Sequence, residues 1–147
     1  MMEDVEREMV EKYLRPDHRM LEYGTGGSTL HFSQFVKEYV SVEHNREWHE
    51  RISNHVGDNC NLKLIENTLT HYNIDSAFWK RMAPDSRVDW QSLMSGDYYR
   101  LFQEYIEHPF NNKEKYDIIL IDGRARPECA KYIYDLIDDD AVVFIHD

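Results

Sequence analysis

Residues 20–28 read Met20-Leu21-Glu22-Tyr23-Gly24-Thr25-Gly26-Gly27-Ser28, a short apolar run that ends on an acid and breaks into glycines at 24, 26 and 27. Glycine opens backbone angles closed to other residues and lets a ligand approach the main chain without meeting a side chain. Beyond the turn, Leu30, Phe32, Phe35 and Val36 recur at helical spacing, so Thr29 to Tyr39 reads as a helix that Ser28 or Thr29 can cap. A strand, a glycine turn and a helix follow in order. The free N–H groups that open such a helix favour a negative or polar ligand group, so the unit signals a nucleotide-like cofactor. Glycines alone are equally a tight joint between two elements, and the rest of the chain has to decide.

Outward from the turn, strands and helices alternate. Val5, Met9, Val10, Tyr13 and Leu14 give a first amphipathic helix that Pro16 ends. Tyr39-Val40-Ser41-Val42-Glu43 is a second strand, and the helical stretch from Asn45 through Trp48, Ile52 and Val56 stops at Gly57. Leu62 to Ile65 is a third strand, Tyr116 to Asp122 a fourth and Ala141 to Ile145 a fifth, with a helix at Cys129 to Ile137 before the last. The unbroken apolar run Ile118 to Ile121 suits a strand covered on both faces. The alternation predicts an α/β fold, a doubly wound and mostly parallel sheet of about five strands with helices on both faces. Ligands in such sheets bind beyond the carboxyl ends of the strands, and Glu22, Glu43, Glu66-Asn67, Asp122 and His146-Asp147 all follow apolar strand cores.

A chain of 147 residues is the size of one domain, read here as 1–147, with an aromatic-rich helical insertion at about 70–115 that holds one clear helix at Gly96 to Glu107. No apolar run approaches the roughly 20 residues that span a bilayer. Met1 to Glu11 carry acids where a secretory signal has a basic start, so a cytoplasmic location is expected, with no membrane partner. The net charge of -11, from 28 acids against 17 bases, repels a phosphate backbone, and no nucleic-acid partner is expected. Cys60 and Cys129 lack zinc-site spacing and read as reduced core or near-core thiols.

Glu43 lies 19 residues after Gly24, close to the roughly 20 at which an acid meets a ribose diol in dinucleotide folds. A pyrophosphate fingerprint wants a third glycine where this chain has Thr29. Glu22, too, is unfavourable beside a pyrophosphate and favourable beside a cationic, methionine-type group. The turn therefore favours S-adenosylmethionine over a nicotinamide dinucleotide.

On these residues the sequence resembles class I S-adenosylmethionine-dependent methyltransferases, whose first motif runs acid-x-Gly-x-Gly-x-Gly/Ser and is matched by Glu22, Gly24, Gly26 and Ser28. The resemblance extends to Glu43 as the ribose acid and to Tyr116 to Asp122 and Ala141 to Ile145 as the fourth and fifth strands. It implies that Glu22, Gly24, Thr25, Gly26 and Ser28 hold the methionine half, with Asp122 also beside the cofactor, and that Glu66 or Asn67 after the third strand holds the adenine. Two departures stand out: the family closes its sheet with an antiparallel pair, whereas this chain stops after the fifth strand and reads as truncated, and the segment at 70–115 exceeds the usual crossover.

Asp122 and His146 end two neighbouring strands and are the candidate catalytic pair, serving as general base if the acceptor is a hydroxyl of a small molecule or sugar. Some small-molecule O-methyltransferases resemble this arrangement with acids that hold magnesium, which names Asp122 and Asp147 as candidate Mg2+ ligands; a helix cap and a solvated terminus are the plainer alternative. Arg124 and Arg126 read either as an anion clamp or as helix-start surface charge, and the aromatic segment either as a lid or as core. A non-catalytic scaffold completing its sheet with a partner, and more weakly an NAD-dependent oxidoreductase, are the competing functions. An uncovered sheet edge also invites homo-oligomers.

Overall fold

The computed structural model describes residues 2–66 and 97–146. The chain forms α1 (Asp4–Glu11), β1 (Arg19–Tyr23), α2 (Gly27–Phe32), β2 (Glu38–Glu43), α3 (Arg46–Ser53), β3 (Cys60–Leu64), α4 (Asp97–Glu107), β4 (Ile118–Ile121), α5 (Arg126–Tyr132) and β5 (Val142–Ile145). The strands lie in the order β3-β2-β1-β4-β5, and every pairing among them is parallel. The expected α/β sheet is what the chain builds. Of the aromatic segment, residues 70–96 lie outside the described residues.

Strand parity sorts the side chains onto two faces. Met20, Tyr39, Ile118 and Leu120 pack with Val10 and Leu14, around α1, and with Phe32 and Val36, around α2. Leu21, Tyr23, Val40, Val42, Ile119 and Ile121 pack on the opposite face with Phe102, Tyr105 and Ile106 of α4 and Cys129 of α5. β4 is the central case: its four residues are at most 1% exposed, so a strand with no polar position is covered on both sides, each side chain contributing about 2 kcal/mol. Cys129 is a buried free thiol and Cys60 a half-buried one.

Two helices stop sooner than hydrophobic spacing suggests. The helix expected over Thr29 to Tyr39 ends as α2 at Phe32, tightens into a 3-10 turn at Ser33–Phe35 and is already strand at Glu38. The cause is distant in sequence: the Asn59 amide donates to the Ser33 and Val36 carbonyls at 2.8 and 3.0 Å, and the Lys37 N–H donates to His18 O at 2.9 Å. The helix expected over Cys129 to Ile137 starts earlier, at Arg126 with Pro127 in its first turn, and gives way to a 3-10 turn at Ile133–Leu136.

Topology positions the site. From β1 the chain steps outward to β2 and β3, then returns across the sheet to β4, so strand order reverses between β1 and β4. In open parallel sheets the crevice at such a reversal, beyond the carboxyl ends of the strands, is where ligands bind. Glu22 stands level with Ser41 and Leu120, and Tyr23 with Val42 and Ile121, so the turns after β1, β2 and β4 leave the sheet together.

Candidate functional site

Gly24 and Gly123 meet at the reversal. Gly24 has φ +105, in the region that favours glycine, and a Cβ there would come within 2.9 Å of the Gly123 backbone. Gly123 is equally confined: a Cβ would come within 2.9 Å of Gly24 N and Tyr23 O and would run into the Tyr105 hydroxyl. The ends of β1 and β4 therefore touch backbone to backbone. Gly27, by contrast, faces open space.

The turn is held from within. Gly24 N–H donates to Val42 O at 2.9 Å, Thr25 N–H to Glu43 Oε2 at 2.9 Å and Gly26 N–H to Thr29 Oγ1 at 2.9 Å. Thr25 Oγ1 lies 2.6 Å from Ser41 Oγ, which donates to Gly24 O at 2.8 Å. The Thr25 carbonyl accepts from Trp48 Nε1. The three N–H groups at 24–26 are thus consumed by the protein, and the carbonyls of Gly24, Thr25 and Gly26 accept from Ser41, Trp48 and Leu30 in turn.

Glu22 lies on the α2 face of β1, 1% exposed, and accepts from Ser28 Oγ, Thr29 Oγ1 and, at 2.8 Å, Tyr39 Oη. Burial pushes its carboxyl up to about 7 against the opposing pull of those three hydroxyl donors, with the Asp122 charge adding to the rise. Thr29 relays the turn to this carboxyl, accepting from Gly26 N–H and donating to Glu22. Glu22 and Ser28 are therefore bonded to each other beneath the turn.

Glu43, 4% exposed, closes β2. Its Oε2 takes the Thr25 N–H, while Oε1 takes the His44 and Asn45 N–H groups at 2.9 and 2.8 Å. His44 Nδ1 also lies 3.0 Å from Oε1, so of a carboxylate's roughly four acceptor positions the one left unfilled is on Oε2. Beside Glu43, the half-buried His44 ring packs edge-on against Phe102 and Tyr105 at 5.7 and 6.0 Å. Phe102 and Tyr105 themselves are core, each 1% exposed.

At the far side of the crevice Asp122 and His146 come together, with His146 Nδ1 2.7 Å from Asp122 Oδ1. His146 Nε2 lies 3.3 Å from Glu6 Oε2 of α1, and Arg126 donates to the His146 carbonyl. The bond to Asp122 raises the imidazole above its usual range, with Glu6 adding to it. Among the described residues no group of three or more His, Cys, Asp or Glu side chains could hold a metal ion. Asp147 and Asn67 lie outside the described residues. Glu66 pairs with Arg46 at 2.6 Å.

Sequence spacing missed Ser41, Trp48, Tyr105 and Gly123 as parts of this site. Ser41 and Tyr105 look like ordinary strand and helix residues, and Gly123 carries a signal only once β4 is known to lie beside β1.

No family model matches the chain, and no curated protein does. Solved structures do. Precorrin-8W decarboxylase from Methanobacterium thermoautotrophicum matches with TM-score 0.61 and 15% identity over 99% of this chain. A methyltransferase-like protein from Silicibacter pomeroyi matches with TM-score 0.58 and 22% identity over 89% of this chain and 64% of that one. An rRNA methylase from Streptococcus thermophilus matches with TM-score 0.55 and 12% identity over 99% of this chain and 71% of that one. The chain spans 63% of the length of the decarboxylase. At these identities the likeness is one of fold: the chain has the parallel, Rossmann-like sheet of methyltransferase-like structures.

Proposed function

We propose that the chain is an S-adenosylmethionine-dependent methyltransferase domain that methylates a hydroxyl of a small molecule or sugar. One observation carries the reading: the glycine turn spends its N–H groups at 24–26 internally and stands over the buried carboxyl of Glu22. A pyrophosphate needs those donors and is repelled by the ionised carboxyl, whereas a sulfonium needs none of the three N–H groups and is attracted by it. The residues fit this cofactor in two further respects. Gly27 leaves its side of the turn open, and Glu43 keeps one acceptor position for the ribose.

Bound there, S-adenosylmethionine supplies an already activated methyl group. The protein's own part is alignment and proton handling. With Nδ1–H donating to Asp122, the basic position of His146 is Nε2, which takes the proton of an acceptor hydroxyl once its 3.3 Å contact with Glu6 Oε2 is given up. Magnesium has no place in this proposal, since Asp122 Oδ1 is committed to His146 and the described residues supply no further ligands around it.

Thermal unfolding with S-adenosylmethionine, S-adenosylhomocysteine and NAD at equal concentration tests the reading. A ligand at a hundred times its Kd adds about 2.7 kcal/mol, a rise in midpoint of about 5–10 °C for a chain this size. The two adenosyl ligands are expected to give it and NAD not. A rise with NAD alone overturns the proposal, and binding without methyl transfer to any hydroxyl acceptor favours a scaffold domain.

A further inference from the structure

We propose that Trp48 is a positioning residue for the nucleoside cofactor, its indole N–H fixing the Thr25 carbonyl and its ring edge walling the glycine turn beside Gly26. The inference rests on the methyltransferase reading above. Thr25 is tied at each of its polar groups: its N–H to Glu43, its hydroxyl to Ser41 and its carbonyl to Trp48. The first two partners are 4% and 0% exposed, so those ties belong to the interior and serve the fold. Trp48 is 40% exposed, and its indole has water as an alternative partner, so its bond adds little to folding. What the bond does fix is the direction of one carbonyl.

Local structure holds the indole in place for that task. Asn45 caps α3 by accepting the Trp48 N–H at 2.9 Å, and the Arg51 guanidinium stacks on the ring 5.2 Å from its centroid. A Cβ on Gly26 would lie 3.6 Å from Nε1, ordinary contact, whereas one on Gly27 would meet nothing within 4 Å. The strip of bare backbone along 24–27 is therefore walled by the indole at 26 and open at 27. A ligand lying on that strip meets the indole edge and a carbonyl already oriented by it. Removing the N–H frees the carbonyl to rotate, and the cost falls on the ligand, which must order the turn on binding.

Calorimetric titration of S-adenosylhomocysteine into the full chain, wild type and Trp48→Phe, tests this, together with the unfolding midpoint of each protein without ligand. Losing one pre-set hydrogen bond is expected to raise Kd about fivefold while the ligand-free midpoint stays within about 2 °C. The indole fluorescence change on titration should also differ between the two proteins, because Trp48 itself borders the ligand. Equal Kd values overturn the inference while leaving the cofactor reading intact. A fall in midpoint that accounts for the whole loss of affinity makes Trp48 a folding residue and overturns it too. Should Trp48→Phe not fold, Trp48→Tyr carries the same test, and failure of both to fold counts against the proposal. No binding by wild type removes the cofactor reading and this inference with it.

Discussion

Glu22 shows how far burial can override a residue's ordinary chemistry. Its three partners are all hydroxyls, which stabilise an anion without neutralising it, and desolvation still lifts the carboxyl to about 7. The linkage has a definite sign. Between its unfolded value of about 4.5 and about 7, the native state keeps a proton that the unfolded chain has released, so this group's contribution to stability falls as pH rises and levels off above 7. The span corresponds to a loss on the order of 3 kcal/mol. In Glu22→Gln that decline is absent, and the difference between the two proteins in urea unfolding from pH 5 to pH 8 measures it; parallel curves sink the assignment. His146 runs the other way in cause: a specific partner, not burial, raises it. Asp122→Asn should therefore lower the His146 pKa, read from the imidazole proton shifts in an NMR titration, and an unchanged midpoint excludes the bond as the cause.

At the scale of elements, the turn between β1 and α2 separates structural glycines from an accessible one. Gly24→Ala forces a Cβ against the Gly123 backbone at a positive φ, so a loss of at least about 2 kcal/mol in denaturant unfolding is expected. Gly27→Ala meets no atom and sits at the start of a helix, where alanine is worth up to about 1 kcal/mol more than glycine. It should leave the unliganded protein as stable or slightly more so while weakening S-adenosylhomocysteine binding. Undiminished binding in Gly27→Ala means the ligand does not lie along the turn.

For the molecule as a whole, β5 ends the sheet, with β4 as its neighbour among the described residues. Of the eight large hydrophobic side chains exposed among the described residues, Ile145 belongs to that strand and Tyr13 packs against it. α1 lies along it, with Tyr13 edge-on to Phe144 at 5.6 Å and Glu6 reaching His146. We propose that copies of the chain associate through this edge. The net charge of -11 opposes association, so sedimentation should show self-association that strengthens with salt and is lost in Ile145→Lys. A monomer at every salt concentration removes the idea.

Much of this was legible in the residues themselves. Apolar runs at Met20-Leu21 and Ile118 to Ile121, and helical spacing between them, fix the alternation of strands and helices, because backbone periodicity is a local property. The glycines at 24, 26 and 27 and the acid at 43 marked the turn for the same reason: torsional freedom and a carboxylate belong to the residue wherever it is placed. Strand order, however, joins β1 to β4 over a long stretch of chain, as the pairing of Tyr23 with Ile121 and the Gly24–Gly123 contact require a partner no local pattern names. The helix end at Phe32 was likewise set by Asn59, and the state of Glu22 by its burial against the pull of hydroxyls from α2 and β2. Desolvation and contact depend on what surrounds a group in three dimensions, and so only the folded chain decided which polar atoms are spent on the fold and which face a ligand.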